Sequence, residues 1–422
     1  MSVDYAIVGG GIAGLYAALH LARTYPNASI SVYEKYNLLG GRVLTFHGTS
    51  GKGPLQWEKG AGRIHASHTL VRKLLKQYNL REAPLGKDTY WKESYDSPLV
   101  PNPFDDALNA WLPEVKRLDK QTLQMHTLHE VLTKLFGSEK ARDLTLPFPY
   151  FGEIFTLRAD LAIESFEHEM GSSDYFYSPD GYDALIHRMA DDCKKHGVKI
   201  FTNWDLKAGA PGSDNTVLLW FATGPLKLKD EREVQTIKAK HAIFALHQAA
   251  LQKINLFKDL PLLHQVKMLP LHRIYAVFST PWFEDIPRFV TGTPLRYFIP
   301  IDPARGIVMI SYTDGDDTSP WMSIEYGADP NEETLARLLT EECRKLFPEK
   351  SIPYPTILKS HPWDYGCSYW LPGEYDPKEV SKESLQPFGK SIPIYICGES
   401  FSMKQAWMEG SLENTQDLLR IL

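Results

Sequence analysis

Little in these 422 residues points to a metal, a membrane or a partner of opposite charge. Cysteine is scarce. Cys193, Cys343, Cys367 and Cys397 lie far apart and form no ligand-like pair, which argues against a zinc site or a disulfide framework and reads as four reduced thiols in a cytoplasmic protein. No apolar run is long enough to cross a bilayer. A net charge of -6 spread over this length disfavours a nucleic-acid or anionic-membrane surface. No repeat or low-complexity stretch is evident, and the N-terminal stretch has no basic region of the kind that opens a secretory leader. What is plentiful is apolar and aromatic side chain, 43% and 12%, enough for large cores in two or three domains.

The most informative stretch is the first. Val3–Val8 is a short apolar run that reads as a buried strand, and Leu15–Ala22 is rich in helix formers. Between them lies Gly9-Gly10-Gly11-Ile12-Ala13-Gly14, with G-x-G-x-x-G spacing. A strand turning sharply into a helix offers free N–H groups and the positive helix end to a pyrophosphate. Gly9 permits the turn, Gly11 lets the backbone approach the phosphates, and Gly14 lets helix and strand pack closely. A second strand, Ser29–Tyr33, runs into Glu34, where an acid would grip a ribose hydroxyl. Ile12 and Ala13 complete the expected dinucleotide turn.

Further on, Gly40-Gly41-Arg42 suggests a second backbone approach to the cofactor, with Arg42 set to neutralise phosphates, and Gly60-Ala61-Gly62-Arg63 is another small-residue loop bearing an arginine. An amphipathic helix is expected over 68–80, helices broken at Pro147 and Pro149 over 112–170, a helix opening after Ser178-Pro179-Asp180-Gly181, and strands at 198–201, 216–221 and 239–246. Strands of a separate sheet are expected at 272–280 and 296–312, helices at 329–346 and 407–421, and a buried strand at 392–396. The return of strand–helix alternation after the helical stretch makes the nucleotide domain discontinuous.

Four motifs, Val8–Leu15, Leu39–Val43, Ser178–Leu185 and Ile394–Glu399, occur in one order along the chain, and together they resemble the flavin amine oxidase superfamily of monoamine, polyamine and L-amino-acid oxidases. The resemblance implies an α/β, two-lobed architecture: a Rossmann-like FAD-binding domain over 1–67, 172–256 and 390–422, a mixed-sheet substrate domain over 68–112 and 257–389, and a helical cap over 113–171. It implies FAD rather than NAD. The residues expected at the cofactor are Gly9, Gly11, Ile12, Ala13, Gly14, Glu34, Gly41, Arg42, Gly60, Ala61, Gly62, Arg63, Leu206, Gly398, Glu399, Trp407 and Met408.

Gly60–His65 is similar to the L-amino-acid oxidase form of its loop, where the arginine holds a carboxylate, so Arg63 is the expected substrate anchor; a guanidinium suits a carboxylate because it offers two parallel donors. The tyrosine that partners this arginine in that branch is not matched, since Phe298 and Ile299 fall near its place. Trp407 is expected as an aromatic wall, with Tyr369 and Trp370 as further cage residues. Where the family carries a lysine that holds a water near the flavin, the register places Arg273, which cannot act as a base. Cys367 lies near where monoamine oxidases attach flavin, but its spacing from Trp363 is shorter and an ordinary thiol is expected. The resulting expectation is an FAD-dependent L-amino-acid oxidase with dioxygen as acceptor, Arg273 and Trp407 at the reacting centre, and no metal. A monoamine or polyamine oxidase, and a flavoprotein without oxidase activity, are the alternatives. A homodimer is left open.

Overall fold

In a computed structural model describing residues 2–86, 88–167, 174–226, 232–326 and 331–422, the opening strand β1 (Ser2–Val8) lies at the centre of a seven-stranded sheet. Its four C-terminal residues are fully buried, as a strand covered on both faces requires. Helix α1 (Ile12–Thr24) follows, and β2 (Ile30–Tyr33) pairs with β1 in parallel. Counting only parallel members, the order is Lys199–Phe201, β2, β1, Glu233–Phe244, Ile394–Ile396. The order reverses beside β1, which puts a crevice at its carboxyl end, where open α/β sheets bind ligands. The long strand Glu233–Phe244 serves two neighbours along one edge: its first half pairs antiparallel with Val217–Thr223 and its last three residues pair with Ile394–Ile396.

The second sheet is also seven-stranded and mostly antiparallel, and strand Val266–Val277 lies between Ile307–Asp314 and Ile357–Trp370. Ile357–Trp370, the longest strand described, has no counterpart among the elements expected from sequence, because Pro362 and Gly366 interrupt its pattern; Trp204–Pro211 was missed likewise. The other expected elements appear within a few residues of their places, although 329–330 lie outside the described residues. The hairpin Thr45–Ser50 and Gly53–Glu58 packs Leu55 and Trp57 on Tyr275 and Val277 of the second sheet.

The helical stretch comprises Phe104–Val115, Lys120–Met125, Leu128–Phe136, Ser138–Thr145, Phe151–Phe155 and Ala159–Ser165, with the break at 146–150 near the two prolines. Thr127 and Glu130 form a reciprocal capping box at the start of the third of these. Two buried arginines fasten this stretch to its surroundings, Arg158 to the segment that follows strand Ile357–Trp370 and Arg296 from beside strand Ile307–Asp314. Arg158 donates to Asp160 at 2.7 and 2.8 Å and to the Tyr375 carbonyl at 2.9 Å, and Arg296 donates to the Phe148 carbonyl at 3.0 Å and to Asp317 at 2.8 Å. Multidentate clamps of this kind fix orientation as well as adding energy.

The closing helix Met408–Leu419 packs against α1 and positions a further element. Its fully buried Glu409 accepts from the backbone N–H groups of Leu70 and Val71 at 2.8 and 2.9 Å, capping helix Thr69–Gln77, which has no cap of its own. Such a cap contributes about 1 kcal/mol and ties the Trp407 region to the His68 region. Among the described residues no helix is long and apolar enough to cross a membrane.

Candidate active site

The turn after β1 is shaped by close approach. Gly9 has φ +109°, and a Cβ there would lie 2.5 Å from the Ala245 carbonyl oxygen; a Cβ on Gly14 would lie 2.0 Å from the Gly9 oxygen. Gly11 differs, since its Cβ would meet nothing nearer than the Gly40 oxygen at 3.8 Å. What requires glycine at position 11 is therefore not protein packing, and the space in front of it suits an approaching diphosphate. Gly11 is also the N-cap of α1, no side chain caps that helix end, and no acid occupies its first turn. The first N–H groups, including those of Ile12 and Ala13, therefore lack a side-chain acceptor.

The Gly40-Gly41 loop lies against this turn: Gly40 N–H donates to the Gly10 carbonyl at 2.9 Å, and a Cβ on Gly41 would lie 3.7 Å from Gly11 Cα. Glu34 is buried at the end of β2 and accepts from Gly10 N–H at 2.7 Å and Tyr36 N–H at 2.9 Å. Burial raises its carboxyl above the usual range. Leu206 lies two residues beyond Trp204, whose N–H donates to the Glu34 carbonyl at 2.8 Å. The cradle fits an adenine-linked dinucleotide.

Arg42 reaches away from the turn. It pairs with Glu399 at 2.8 Å and donates to the Gly366 carbonyl at 2.8 Å. Glu399, behind Gly398 with φ +126°, also accepts from the N–H groups of Ser368 and Ala406 at 3.0 and 2.8 Å. Burial would raise its carboxyl, but Arg42 and these donors hold it below the usual carboxylate range. Gly60 packs on the Arg42 carbonyl, where a Cβ would lie 2.0 Å from the oxygen, and Ala61 N–H donates to the same carbonyl at 3.0 Å. The structure thus brings together Arg42, Gly60, Ala61, Gly398 and Glu399 from both ends of the chain.

Arg63 occupies an aromatic cage. Its guanidinium carbon lies 4.5 Å from the Tyr175 ring centroid, 5.0 Å from Tyr150 and 5.4 Å from Trp407. Trp407, the N-cap residue of the closing helix, stacks on Tyr175 at 6.1 Å and meets His68 edge-on at 4.9 Å. Among the described residues no carboxylate is ion-paired with Arg63. Ring faces hold a guanidinium electrostatically without consuming its N–H donors.

Tyr150 and Tyr175 are site residues that sequence reasoning missed. They come from the helical break and from strand Tyr175–Tyr177, and neither follows a motif. The place near Phe298 does not supply a partner: Phe298 is fully buried in the core of the second sheet, while Tyr297 meets Tyr150 of the Arg63 cage edge-on at 6.4 Å.

Arg273 is half-buried. A Cβ on Gly62 would lie 2.5 Å from one of its terminal nitrogens; the guanidinium donates to the Glu58 carbonyl at 3.4 Å and sits 5.4 Å from the Tyr312 ring centroid. Its Nε has no hydrogen-bond partner. The Glu58 carboxyl is pushed up to about 8 by burial.

Beyond Arg273, Tyr369 donates to buried Glu153 at 3.3 Å, and its ring lies on Gly152, where a Cβ would overlap it at 2.2 Å. Asp314, 2% exposed, accepts from the N–H groups of Phe151 and Gly152 at 2.8 and 3.0 Å. Burial raises the carboxyls of both Glu153 and Asp314, with Asp314 adding repulsion at Glu153 and Asp317 adding it at Asp314. Trp370, on the opposite face of the same strand, is a correction to the expected cage. It is 1% exposed, donates to the Ser402 carbonyl at 3.1 Å and packs on Phe401 and Tyr375 in the core. Burial pushes the Cys367 thiol up, away from the nucleophilic thiolate. Met408 is buried beside Trp407. Among the described residues no group of side chains could hold a metal ion.

The family model for flavin-containing amine oxidoreductases matches residues 12–415. The uncharacterised protein R188 of Acanthamoeba polyphaga mimivirus is 36% identical, covering 99% of this chain and 93% of that protein. Achacin of Lissachatina fulica is 22% identical over 99% of this chain and 92% of its own length. Among solved structures, a putrescine oxidase double mutant superposes with TM-score 0.75 at 15% identity, covering 100% of this chain and 99% of that one; the wild type bound to putrescine gives 0.74 at 16% with the same coverage. These likenesses establish the two-lobed fold. This chain belongs to the flavin-containing amine oxidoreductases, and is an FAD-dependent oxidoreductase acting on amines.

Proposed function

We propose that the amine is an L-amino acid and the reaction its oxidative deamination. The observation that carries this reading is Arg63, a half-buried cation ringed by Tyr150, Tyr175 and Trp407 and ion-paired with no carboxylate of the described residues. A guanidinium so held favours a planar anion, and a substrate carboxylate supplies one with matching bidentate geometry. The bound flavin supplies the hydride acceptor. The chain binds the carboxylate through Arg63, sets the substrate flank against Trp407, and excludes water with the aromatic walls, so that orientation supplies much of the rate. The substrate amine must be neutral when the Cα hydrogen leaves. Arg273 stays protonated and takes no part as a base. L-amino acid, dioxygen and water then become 2-oxo acid, ammonia and hydrogen peroxide.

A second reading, an amine oxidase without carboxylate recognition, is favoured by the buried acids Glu153 and Asp314, which suit cations. It leaves Arg63 without a purpose and with like charge towards its substrate. Peroxide release over the twenty L-amino acids and common amines separates the two. Turnover of amino acids is expected, and turnover of amines alone would move the assignment to the second reading.

A further inference from the structure

A half-buried guanidinium, Arg63, and a buried carboxyl, Glu153, lie in one cluster and do not form an ion pair with each other. Arg63 sits on one side of Tyr150, its guanidinium over that ring. Glu153, three residues along the same segment, is 8% exposed, and its side-chain partner is the Tyr369 hydroxyl at 3.3 Å, a long and weak bond. Asp314 lies close behind, but both its oxygens accept backbone N–H groups, so its place is structural. Among the described residues no cation is ion-paired with Glu153 or Asp314. Tyr312 links the two sides, its ring edge-on to Tyr150 at 5.6 Å.

An anion buried without a cation is costly, and so is a cation buried without an anion. A ligand carrying an anion at one end and a cation at the other relieves both at once. We propose, resting on the amino-acid reading above, that the substrate is a basic L-amino acid, its α-carboxylate held by Arg63 and its side-chain cation received by Glu153 with Asp314 behind. Glu153 is then a specificity residue. Burial and the neighbouring Asp314 raise its carboxyl, and an ammonium or guanidinium group beside it would oppose that shift and favour the ionised form. An apolar side chain in the same place would leave Glu153 desolvated and unmatched, which is how a polar pocket rejects an isostere that lacks the polar group.

The test compares L-lysine with L-norleucine, which has nearly the same length and no side-chain amine, on the flavin-loaded enzyme and its Glu153→Gln variant. The wild type is expected to show a kcat/KM ratio of about 100 in favour of lysine, and the variant to lose most of that ratio. A wild-type ratio at or below one, with both amino acids turned over, overturns this inference and leaves the amino-acid reading intact. A lysine preference that survives in Glu153→Gln overturns the role of Glu153. Turnover of putrescine with none of either amino acid overturns the amino-acid reading and this inference with it. The wild-type ratio stands even if the variant fails to fold.

Discussion

Around the glycine turn, the groups that would meet a cofactor belong to the main chain: the uncapped first turn of α1, held by Gly9, Gly14 and the Gly40-Gly41 loop. Under the helical stretch, the groups proposed to meet a substrate are side chains, Arg63 and Glu153, presented by separate segments beside tyrosines and Trp407. The first region is held within itself and depends on backbone conformation. The second holds a guanidinium and a carboxyl that form no ion pair among the described residues, and its proposed role depends on what binds. Main-chain recognition suits a cofactor common to many enzymes, and side-chain recognition suits a substrate that differs between them.

The largest expected effects sharpen this contrast at the turn. Gly14→Val forces a side chain against the Gly9 carbonyl, so soluble protein should fall severely and retained flavin absorbance should vanish. Gly11→Ala meets no protein atom within 3.8 Å, so the chain should fold, shown by unchanged far-ultraviolet circular dichroism, yet bind FAD at least about tenfold more weakly. Equal loss of fold in both variants would mean that the opening at Gly11 is not a cofactor surface.

In the second region, Arg63→Met keeps bulk and removes the charge. The kcat/KM for amino acids should fall about 1,000-fold, because two charge-assisted hydrogen bonds are lost, whereas amines without a carboxylate should gain relative to them. Arg273→Lys should speed reoxidation of the reduced enzyme by dioxygen, on the order of tenfold, because lysine can give up a proton when buried and arginine cannot. Stopped-flow mixing of reduced enzyme with oxygenated buffer measures it, and unchanged or slower reoxidation would show that the register or the role of Arg273 is wrong.

The smallest effect concerns stability. The folded Glu58 carboxyl, raised to about 8, binds its proton more tightly than in the unfolded chain, so ionising it opposes folding. Its stabilising contribution is complete at low pH and is lost as pH rises from about 4.5 through about 8. Glu58→Gln should therefore raise stability at pH 9 by on the order of 2 kcal/mol and change it little at pH 5, read as a shift in melting temperature.

The same contrast explains what the sequence disclosed. The strand–turn–helix unit, Glu34 and the Gly40-Gly41-Arg42 loop were legible because backbone recognition demands particular residue types at fixed spacing. Arg63 and Trp407, which the fold brings together, were picked out by the likeness of their two loops to those of the family. Tyr150, Tyr175, Glu153 and Asp314 were not, because an aromatic or an acid in a helical break, in a helix of five residues or at a strand end has no period of its own and meets its partners only through tertiary packing. Tyr369 and Trp370 show the limit within one dipeptide: adjacent strand residues face opposite ways, so one lies against Glu153 and the other in the core. The Arg42–Glu399 pair, joining positions 357 apart in sequence, was expected only as two separate cofactor contacts.

The most direct test of carboxylate recognition by Arg63 is anaerobic mixing of the flavin-loaded enzyme with matched pairs, each L-amino acid against the amine that lacks only its carboxylate. Flavin bleaching by the amino acid at least about 100-fold faster than by its amine partner is expected. Equal bleaching, or faster bleaching by the amine, would contradict it.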